Sequence, residues 1–217
     1  LSPLLANVLL DEVDKALEGR GYSFARYADD CNVYVGSKRA GERVMALLRK
    51  LYAGLKLQIN EAKSAVGSVF GRKFLGYELW VAKGKEVKCA VAHKALDNFK
   101  ARIRQLTRRS GGRSMAQVVQ KLRSYLLGWK AYFGLAQTPR VWRELDEWLR
   151  HRLRAIQLRH WKRPKAIYRE LKALGASEDV AKQVAGNCHR WWRNSDGAIK
   201  RVLTIAYFDR LGVPRLS

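Results

Sequence analysis

The chain has 217 residues, of which 47% are hydrophobic and 29% charged, and a formal net charge of +24 at pH 7. This composition is typical of a globular protein with a buried core, and without a run of about 18 apolar residues we expect no membrane-spanning helix. Two explanations of this charge are a polyanionic partner and a general need for solubility, and the size of the charge favours the partner. Three widely spaced cysteines predict neither a disulfide framework nor a zinc knuckle, and they fit a reducing cytoplasm.

The first predicted elements are a helix and a two-stranded hairpin. Ser2 and Pro3 are typical of a helix cap and a first helical turn, and the apolar pattern behind them runs to Gly19. Large residues alternate with small or charged ones in 22–27 and return in 32–35, which predicts two strands joined by a turn. An amphipathic helix is predicted next, over residues 40–53.

Three short strands are predicted after this helix, followed by helices alone. The strands are expected at 66–70, 74–81 and 86–91, with a hairpin turn between the last two. Helices are predicted for residues 94–109, for 115–134, from Pro139 onward, and as two or three short segments within 164–212. The sequence therefore predicts an α+β fold in which a helix-and-hairpin region precedes an all-helical region.

Two adjacent carboxylates, Asp29 and Asp30, lie where the first predicted strand turns into the second. Mg²⁺ prefers oxygen ligands and is usually held by one or two carboxylates together with substrate phosphates. Two such ions can stabilise the attacking and the leaving oxygen of a phosphoryl transfer. The alternative is that the pair serves only as turn residues, since Asp is common in turns. The flanking strands and the preceding helix favour the metal site.

Basic residues are concentrated in the middle of the chain, where residues 94–165 hold 19 Lys and Arg but four Asp and Glu. A basic helical surface can follow a phosphate backbone, and structured RNA is recognised largely through its shape and phosphates. Any single cation could instead be a solvated surface residue. The residues predicted to bind RNA are Arg102, Arg104, Arg108, Arg109, Arg113, Lys121, Arg123, Lys130, Arg150 and Arg154. Trp191 and Trp192, which lie between two arginines, are candidates for stacking on bases.

Several blocks of the sequence resemble those of reverse transcriptases. Residues 27–30, Tyr-Ala-Asp-Asp, are similar to the Tyr-x-Asp-Asp signature, and residues 1–7 resemble the end of the Pro-Gln-Gly-x-x-Ser-Pro block. Residues 57–64 resemble the next block, and residues 74–77 resemble the primer-grip hairpin. Residues 124–129 and 142–154 are similar to the maturase-specific region. The chain is thus identified as resembling the C-terminal part of a group II intron reverse transcriptase/maturase.

This resemblance implies a partial polymerase palm in residues 1–92, a thumb or maturase domain X in 93–165, and a helical nucleic-acid-binding region in 166–217. Asp29 and Asp30 are implied as catalytic residues and as ligands of a two-ion Mg²⁺ site, with Asp29 the more direct ligand. The residues implied to contact substrate or primer are Ser2, Pro3, Asn7, Tyr27, Lys63, Phe74, Leu75 and Gly76. For Tyr27, Phe74 and Leu75, core packing is the rival explanation. The implied partners are intron RNA, an RNA template with a DNA primer, and dNTPs.

The sequence departs from the family pattern at its start. A third carboxylate and the basic fingers precede the Pro-Gln-Gly block in such enzymes, and Leu1 opens inside a predicted helix start. We therefore expect that an upstream portion is missing and that these 217 residues alone do not polymerise DNA. The alternatives are an RNA-binding splicing factor without polymerase activity, or a reverse transcriptase of a retron, diversity-generating or CRISPR-linked system.

Overall fold

The computed structural model describes residues 2–108 and 112–217. The side chains of Ser2 and Pro3 lie outside this description. The chain forms two compact units, Leu1–Arg72 and Lys73–Ser217. Helices are combined with two small antiparallel sheets, which confirms the predicted α+β fold. None of the helices in the described ranges is long and apolar enough to cross a membrane.

In the first unit, two helices cover a two-stranded hairpin. Leu10, Val13 and Leu17 of the first helix form a small core with Val44 and Leu48 of the second, and aromatic rings of the hairpin pack against it. This spacing of three and four residues places the apolar side chains on one helix face. The elements are α1 (Ser2–Glu18), β1 (Ser23–Tyr27), β2 (Asp30–Tyr34) and α2 (Lys38–Gly54).

The second unit begins with a three-stranded antiparallel sheet formed by β3 (Lys73–Phe74), β4 (Tyr77–Val81) and β5 (Val87–Val91), in that order. The strand predicted over residues 74–81 is divided, because Leu75 (φ 53°) and Gly76 (φ 79°) turn the chain between β3 and β4.

The strand predicted at residues 66–70 does not form. The Ser68 hydroxyl accepts a hydrogen bond from the Phe70 amide at 3.2 Å, and the Arg72 guanidinium donates to the Ser68 carbonyl at 3.1 Å. Such local side-chain bonds compete with sheet hydrogen bonds. The apolar residues of this segment therefore belong to an irregular loop.

The rest of the second unit is helical. Ser114 and Gln117 form a capping box at the start of α4, and Pro139 occupies the first turn of α5. The tail contains more short segments than predicted, including 3₁₀ turns at Cys188–Arg190 and Ala198–Arg201. The helices are α3 (His93–Leu106), α4 (Met115–Tyr132), α5 (Pro139–Trp161), α6 (Pro164–Ala173), α7 (Glu178–Gly186), α8 (Trp191–Asn194) and α9 (Ile205–Arg210).

An aromatic cluster forms one end of the core of the second unit. The Trp129 ring lies 4.3 Å from that of Phe99, 4.7 Å from Phe133 and 5.2 Å from Trp142, measured between centroids. All four side chains are buried. Each such pair contributes about 0.5–1.5 kcal/mol beyond the area it buries. Core packing is therefore the role of Trp129 and Trp142, and it joins α3, α4 and α5.

Candidate active-site turn and basic helical surface

The acidic pair lies at the tip of the β1–β2 hairpin. Tyr27 of β1 pairs with Asp30 of β2, so Ala28 and Asp29 form a two-residue turn. Both Asp29 and Asp30 are exposed. Among the hydrogen bonds and ion pairs described for residues 2–108 and 112–217, none involves either of these carboxylate groups. The hairpin thus holds two carboxylates next to each other with their oxygens open to solvent.

The turn is strained at Ala28, whose φ of 53° lies in the left-handed region. A residue with a Cβ atom in such a conformation costs about 1–3 kcal/mol and persists only where its surroundings fix it. The carbonyl oxygen of Ala28 accepts a hydrogen bond of 3.0 Å from Nη1 of Arg26. Part of the support for the turn therefore comes from a side chain of the strand that leads into it.

Arg26 also connects the hairpin to α1. Its Nε donates to Oδ1 of Asp14 at 2.8 Å, and its Nη1 donates to Oδ1 of Asn7 at 3.0 Å. The Arg26 and Asp14 side chains are only 11% and 20% exposed. The hydrogen bond to Asp14 raises the pKa of Arg26 above its ordinary value. The sequence motifs do not identify Arg26 or Asp14, since nothing in their spacing of 12 residues indicates that they meet.

Apart from the Arg26–Asp14 pair, two titratable groups near the turn, Cys31 and Tyr52, are neutral. Burial raises the pKa of the Cys31 thiol and of the Tyr52 hydroxyl, so neither provides an anion at neutral pH. Within the described ranges, no group of three or more His, Cys, Asp or Glu side chains could hold a metal ion. Asp29 and Asp30 suit a Mg²⁺ ion whose remaining ligands are water and substrate phosphates.

The other residues predicted near this site are placed as follows. Tyr27 is 64% exposed, so its ring does not belong to the core. Asn7 accepts the hydrogen bond from Arg26, and Lys63 is exposed on an irregular turn. Ser2 and Pro3 begin α1, but their side chains lie outside the described part of the structure. The contacts of these residues with substrate stay predictions.

In the second unit, the turn after Phe74 is fixed against the end of α4. The Tyr132 hydroxyl donates to the carbonyl of Leu75 at 3.0 Å, and the Tyr77 hydroxyl donates to the carbonyl of Tyr132. Gly76 lies so close to Phe133 that an added Cβ would be 3.1 Å from the ring. Phe74 is half-buried and Leu75 is 37% exposed. The predicted primer-contacting turn is thus rigidly held, and its contact with a primer stays a prediction.

Most of the predicted RNA-binding cations lie on the surface of the second unit. Arg123 and Lys130 donate to the backbone carbonyls of Gly212 and Arg215, so they also hold the C-terminal tail against α4. Arg113 is half-buried, and Arg109 lies outside the described residues. The exposed members of the set are Arg102, Arg104, Arg108, Lys121, Arg123 and Lys130.

The RNA-binding prediction is wrong for Arg150 and Arg154, because both side chains are buried, with 0% and 5% exposure. Arg150 donates to the Asp146 carboxylate at 2.7 Å, and Arg154 donates to the Ser195 carbonyl at 2.8 Å. Buried guanidinium groups with protein partners are not open to a phosphate. Their roles are in the packing of α5 against the C-terminal region.

Trp192, a predicted stacking residue, is 40% exposed and already lies against two aromatic rings, those of His151 and Trp191. Its ring stacks on that of His151 with 4.0 Å between centroids. The Arg104 guanidinium lies 5.6 Å from the Trp148 ring, and that of Arg152 lies 5.4 Å from it. This surface combines rings and cations, which are the groups that single-stranded nucleic acids contact.

Comparison with known families gives two matches, one that covers the first unit and the start of the second, and one within the second unit. Residues 1–79 match the family described as reverse transcriptase (RNA-dependent DNA polymerase). Residues 96–175 match the family described as group II intron, maturase-specific domain. The comparison with curated proteins gives no match. The first matched stretch includes the acidic turn, and the second includes most of the basic cluster.

Proposed function

Because the chain belongs to the group II intron reverse transcriptases/maturases, which combine an RNA-directed DNA polymerase with a splicing function, we propose that the Asp29–Asp30 turn is the metal-binding part of the polymerase site. The observation that carries this proposal is the exposure of both carboxylates at the tip of a paired β-hairpin. A turn that served only the fold would not need two unpaired like charges side by side.

The divalent metal would be Mg²⁺, bound by Asp29 and more weakly by Asp30 together with substrate phosphates. The ion would supply charge stabilisation for phosphoryl transfer. Asp30 is assigned the weaker contact because adjacent side chains of an extended chain point to opposite faces. The chemistry requires the carboxylates to keep a fixed position, which the paired strands provide.

The remaining predicted contacts belong to the same proposal. Ser2, Pro3, Asn7, Tyr27 and Lys63 would face the dNTP and the nascent base pair. The turn formed by Phe74, Leu75 and Gly76 would contact the primer end, and its support from Tyr132 fits a surface that must hold a strand in place. The substrates would be an RNA template with a DNA primer and dNTPs. We also propose a cytoplasmic location, on the ground of the three free cysteines.

The test is primer extension on an RNA template by the full-length protein carrying Asp29→Asn and Asp30→Asn. DNA synthesis should fall by more than about 100-fold, since loss of even an outer partner of a metal ligand lowers activity about 10- to 100-fold. Intron RNA binding and splicing should remain. The control is Glu18→Gln with Glu42→Gln, which removes two exposed carboxylates elsewhere. Retained synthesis in the Asp29/Asp30 variant would overturn the proposal.

The second part of the proposal concerns the RNA partner. The exposed cations of α3 and α4 lie within or beside the stretch that matches the maturase-specific domain, so they would bind intron RNA and assist its folding. This match also favours an intron enzyme over a retron, diversity-generating or CRISPR-linked relative. Because Asp29 and Asp30 lie in the first unit and these cations in the second, polymerase and splicing functions should be separable by mutation.

A further inference from the structure

We propose that Arg26 is a positioning residue that sets the acidic turn for metal binding. The proposal rests on the function assigned above to Asp29 and Asp30. It adds a group that touches neither substrate nor metal and that acts through the backbone of Ala28. Three hydrogen-bonding partners of Arg26 support this role, and the two side-chain partners, Asn7 and Asp14, can be removed separately.

The guanidinium of Arg26 meets oxygen atoms from two elements of the first unit. It donates to the side chains of Asn7 and Asp14 on α1, and to the carbonyl of Ala28 in the turn. Asn7 and Asp14 are seven residues apart, so they lie on one face of the helix. A planar guanidinium presents its donors in a fixed arrangement, which the single ammonium of lysine cannot reproduce. Arg26 therefore fixes where the turn lies relative to the helix.

The charge of Arg26 is used by Asp14 and not by the metal-binding pair. The two side chains are mostly buried and share more than one hydrogen bond, and such bonds between charged groups are short and strong. The carboxylates of Asp29 and Asp30 have no hydrogen bond or ion pair to Arg26 in the described structure. An arginine that paired with them directly would compete with a cation. Supported by Asp14, Arg26 can hold the turn without that competition.

The backbone conformation of Ala28 explains why the turn needs this support. Ala28 has a left-handed φ of 53°, in which a residue other than glycine is held by its surroundings. The Arg26 hydrogen bond to the Ala28 carbonyl is such a constraint, and it acts one residue before Asp29. Without it, the turn would relax and the two carboxylates would no longer keep their positions. Metal affinity should then fall while the hairpin and the helices remain.

The experiment follows the binding of Mn²⁺, a paramagnetic substitute for Mg²⁺, by broadening of backbone amide signals in the 217-residue chain. Wild type should show selective broadening at residues 27–31. Arg26→Lys, which keeps the charge but not the fixed donors, should need about 10- to 100-fold more Mn²⁺ for the same broadening. The matched control is Arg20→Lys, since Arg20 is exposed and its described side-chain hydrogen bond goes to the carbonyl of Ala16 in α1; this variant should behave like wild type.

The folded state is checked by the cross-strand pairing of Phe24 with Val33 in the hairpin. If Arg26→Lys no longer shows this pairing, the variant Asn7→Ala is used in its place. The Asn7 substitution leaves the Arg26–Asp14 pair intact and should still weaken Mn²⁺ binding several-fold. Wild-type Mn²⁺ dependence in a folded Arg26→Lys chain, or in Asn7→Ala if the first variant unfolds, would overturn the role of Arg26.

If the proposal that Asp29 and Asp30 bind the metal is itself wrong, the experiment gives a different result. In that case, the chain with Asp29→Asn and Asp30→Asn would show the same broadening as wild type, whatever Arg26 does. If instead the broadening disappears in that variant and the folded Arg26→Lys chain keeps it, the acidic turn is the metal site and Arg26 does not position it. The same series in primer extension should show a raised Mg²⁺ requirement for Arg26→Lys with an unchanged KM for primer–template.

Discussion

Each unit of this protein contains an arginine paired with aspartate, and the two groups serve different ends. In the first unit, Arg26 and Asp14 support a turn that is strained at Ala28, and the next two residues after Ala28 are exposed aspartates. In the second unit, Arg150 is completely buried and bonds Asp146 and Asp209. The first arrangement leaves two unpaired carboxylates exposed beside it, whereas in the second the charges are paired with one another, with Asp209 also bonded to Arg215.

Asp146 shows how completely the second group is used by the fold. Its carboxylate accepts hydrogen bonds from Arg150, from the amides of Leu216 and Ser217, and from the Ser217 hydroxyl. The C-terminal tail is thereby attached to α5. The comparison teaches that burial and partners, and not residue type, decide whether a charged group stabilises the fold or remains available for chemistry.

The largest expected effect on stability comes from breaking the buried ion pair of Arg150 with Asp146. Asp146→Ala leaves the Arg150 charge without its main partner and should lower the free energy of unfolding of the second unit by about 3–5 kcal/mol. All seven tryptophans lie in the second unit, so denaturant unfolding followed by tryptophan fluorescence reports on it alone. Glu144→Ala, which breaks an exposed pair with Arg140 on the same helix, should change little. Equal effects of the two changes would contradict the assignment.

A second comparison uses two glycines. Gly76→Ala should destabilise the second unit by about 1–3 kcal/mol, because the residue has φ 79° and the new Cβ would press on Phe133. Gly128→Ala within α4 meets nothing within 4 Å and should stabilise the helix by about 0.5–1 kcal/mol. The opposite signs are measured by the same unfolding experiment. A neutral Gly76→Ala would show that the turn at 75–76 is not rigidly held.

The exposed cations are tested by RNA binding. Replacing Arg102 and Arg108 by alanine should weaken binding of intron RNA and reduce the slope of log K against log salt by up to about 1.4, or about 0.7 for each phosphate that is no longer neutralised. The control removes Arg143 and Arg201, two exposed cations outside the predicted set, and should change the slope less. A larger change in the control would place the RNA elsewhere on the second unit.

The smallest expected effect is a pH dependence. The hydrogen bond from Arg215 lowers the pKa of Asp209 in the folded protein. Since the unfolded carboxyl titrates near pH 3.9, this bond stabilises the fold above about pH 4, and the contribution disappears as pH falls through the lower folded pKa. Asp209→Asn should therefore flatten the acid side of the stability curve between about pH 5 and pH 3. Asp179→Asn is the control, and an equally flat curve for it would contradict the role of Asp209.

The sequence predicted those features that depend on neighbours in the chain. Helical periodicity indicated α2 through α5. The alternation of large residues before and after residues 28–30 indicated the hairpin, with its acidic pair at the turn. The sequence could not predict that Arg26 meets Asp14 and Asn7, because these lie 12 and 19 residues away on a helix whose orientation only packing decides.

The prediction that Arg150 and Arg154 lie on the surface is wrong, although the sequence contains a signal for their burial. Asp146, Arg150 and Arg154 recur every four residues beside Leu149 and Leu153, so they share the apolar face of α5. An acid four residues before an arginine on such a face indicates a buried pair better than it indicates an RNA contact.

The most direct test of the claim that Asp29 and Asp30 serve chemistry and not the fold is amide hydrogen exchange of the β1–β2 hairpin, with and without Mg²⁺. Mg²⁺ should slow exchange at residues 23–34 of wild type, because a bound ligand stabilises the folded state. The Asp29→Asn and Asp30→Asn chain should show no Mg²⁺ effect and, without Mg²⁺, no faster exchange than wild type. Faster exchange in that variant, together with an unchanged response to Mg²⁺, would contradict the claim.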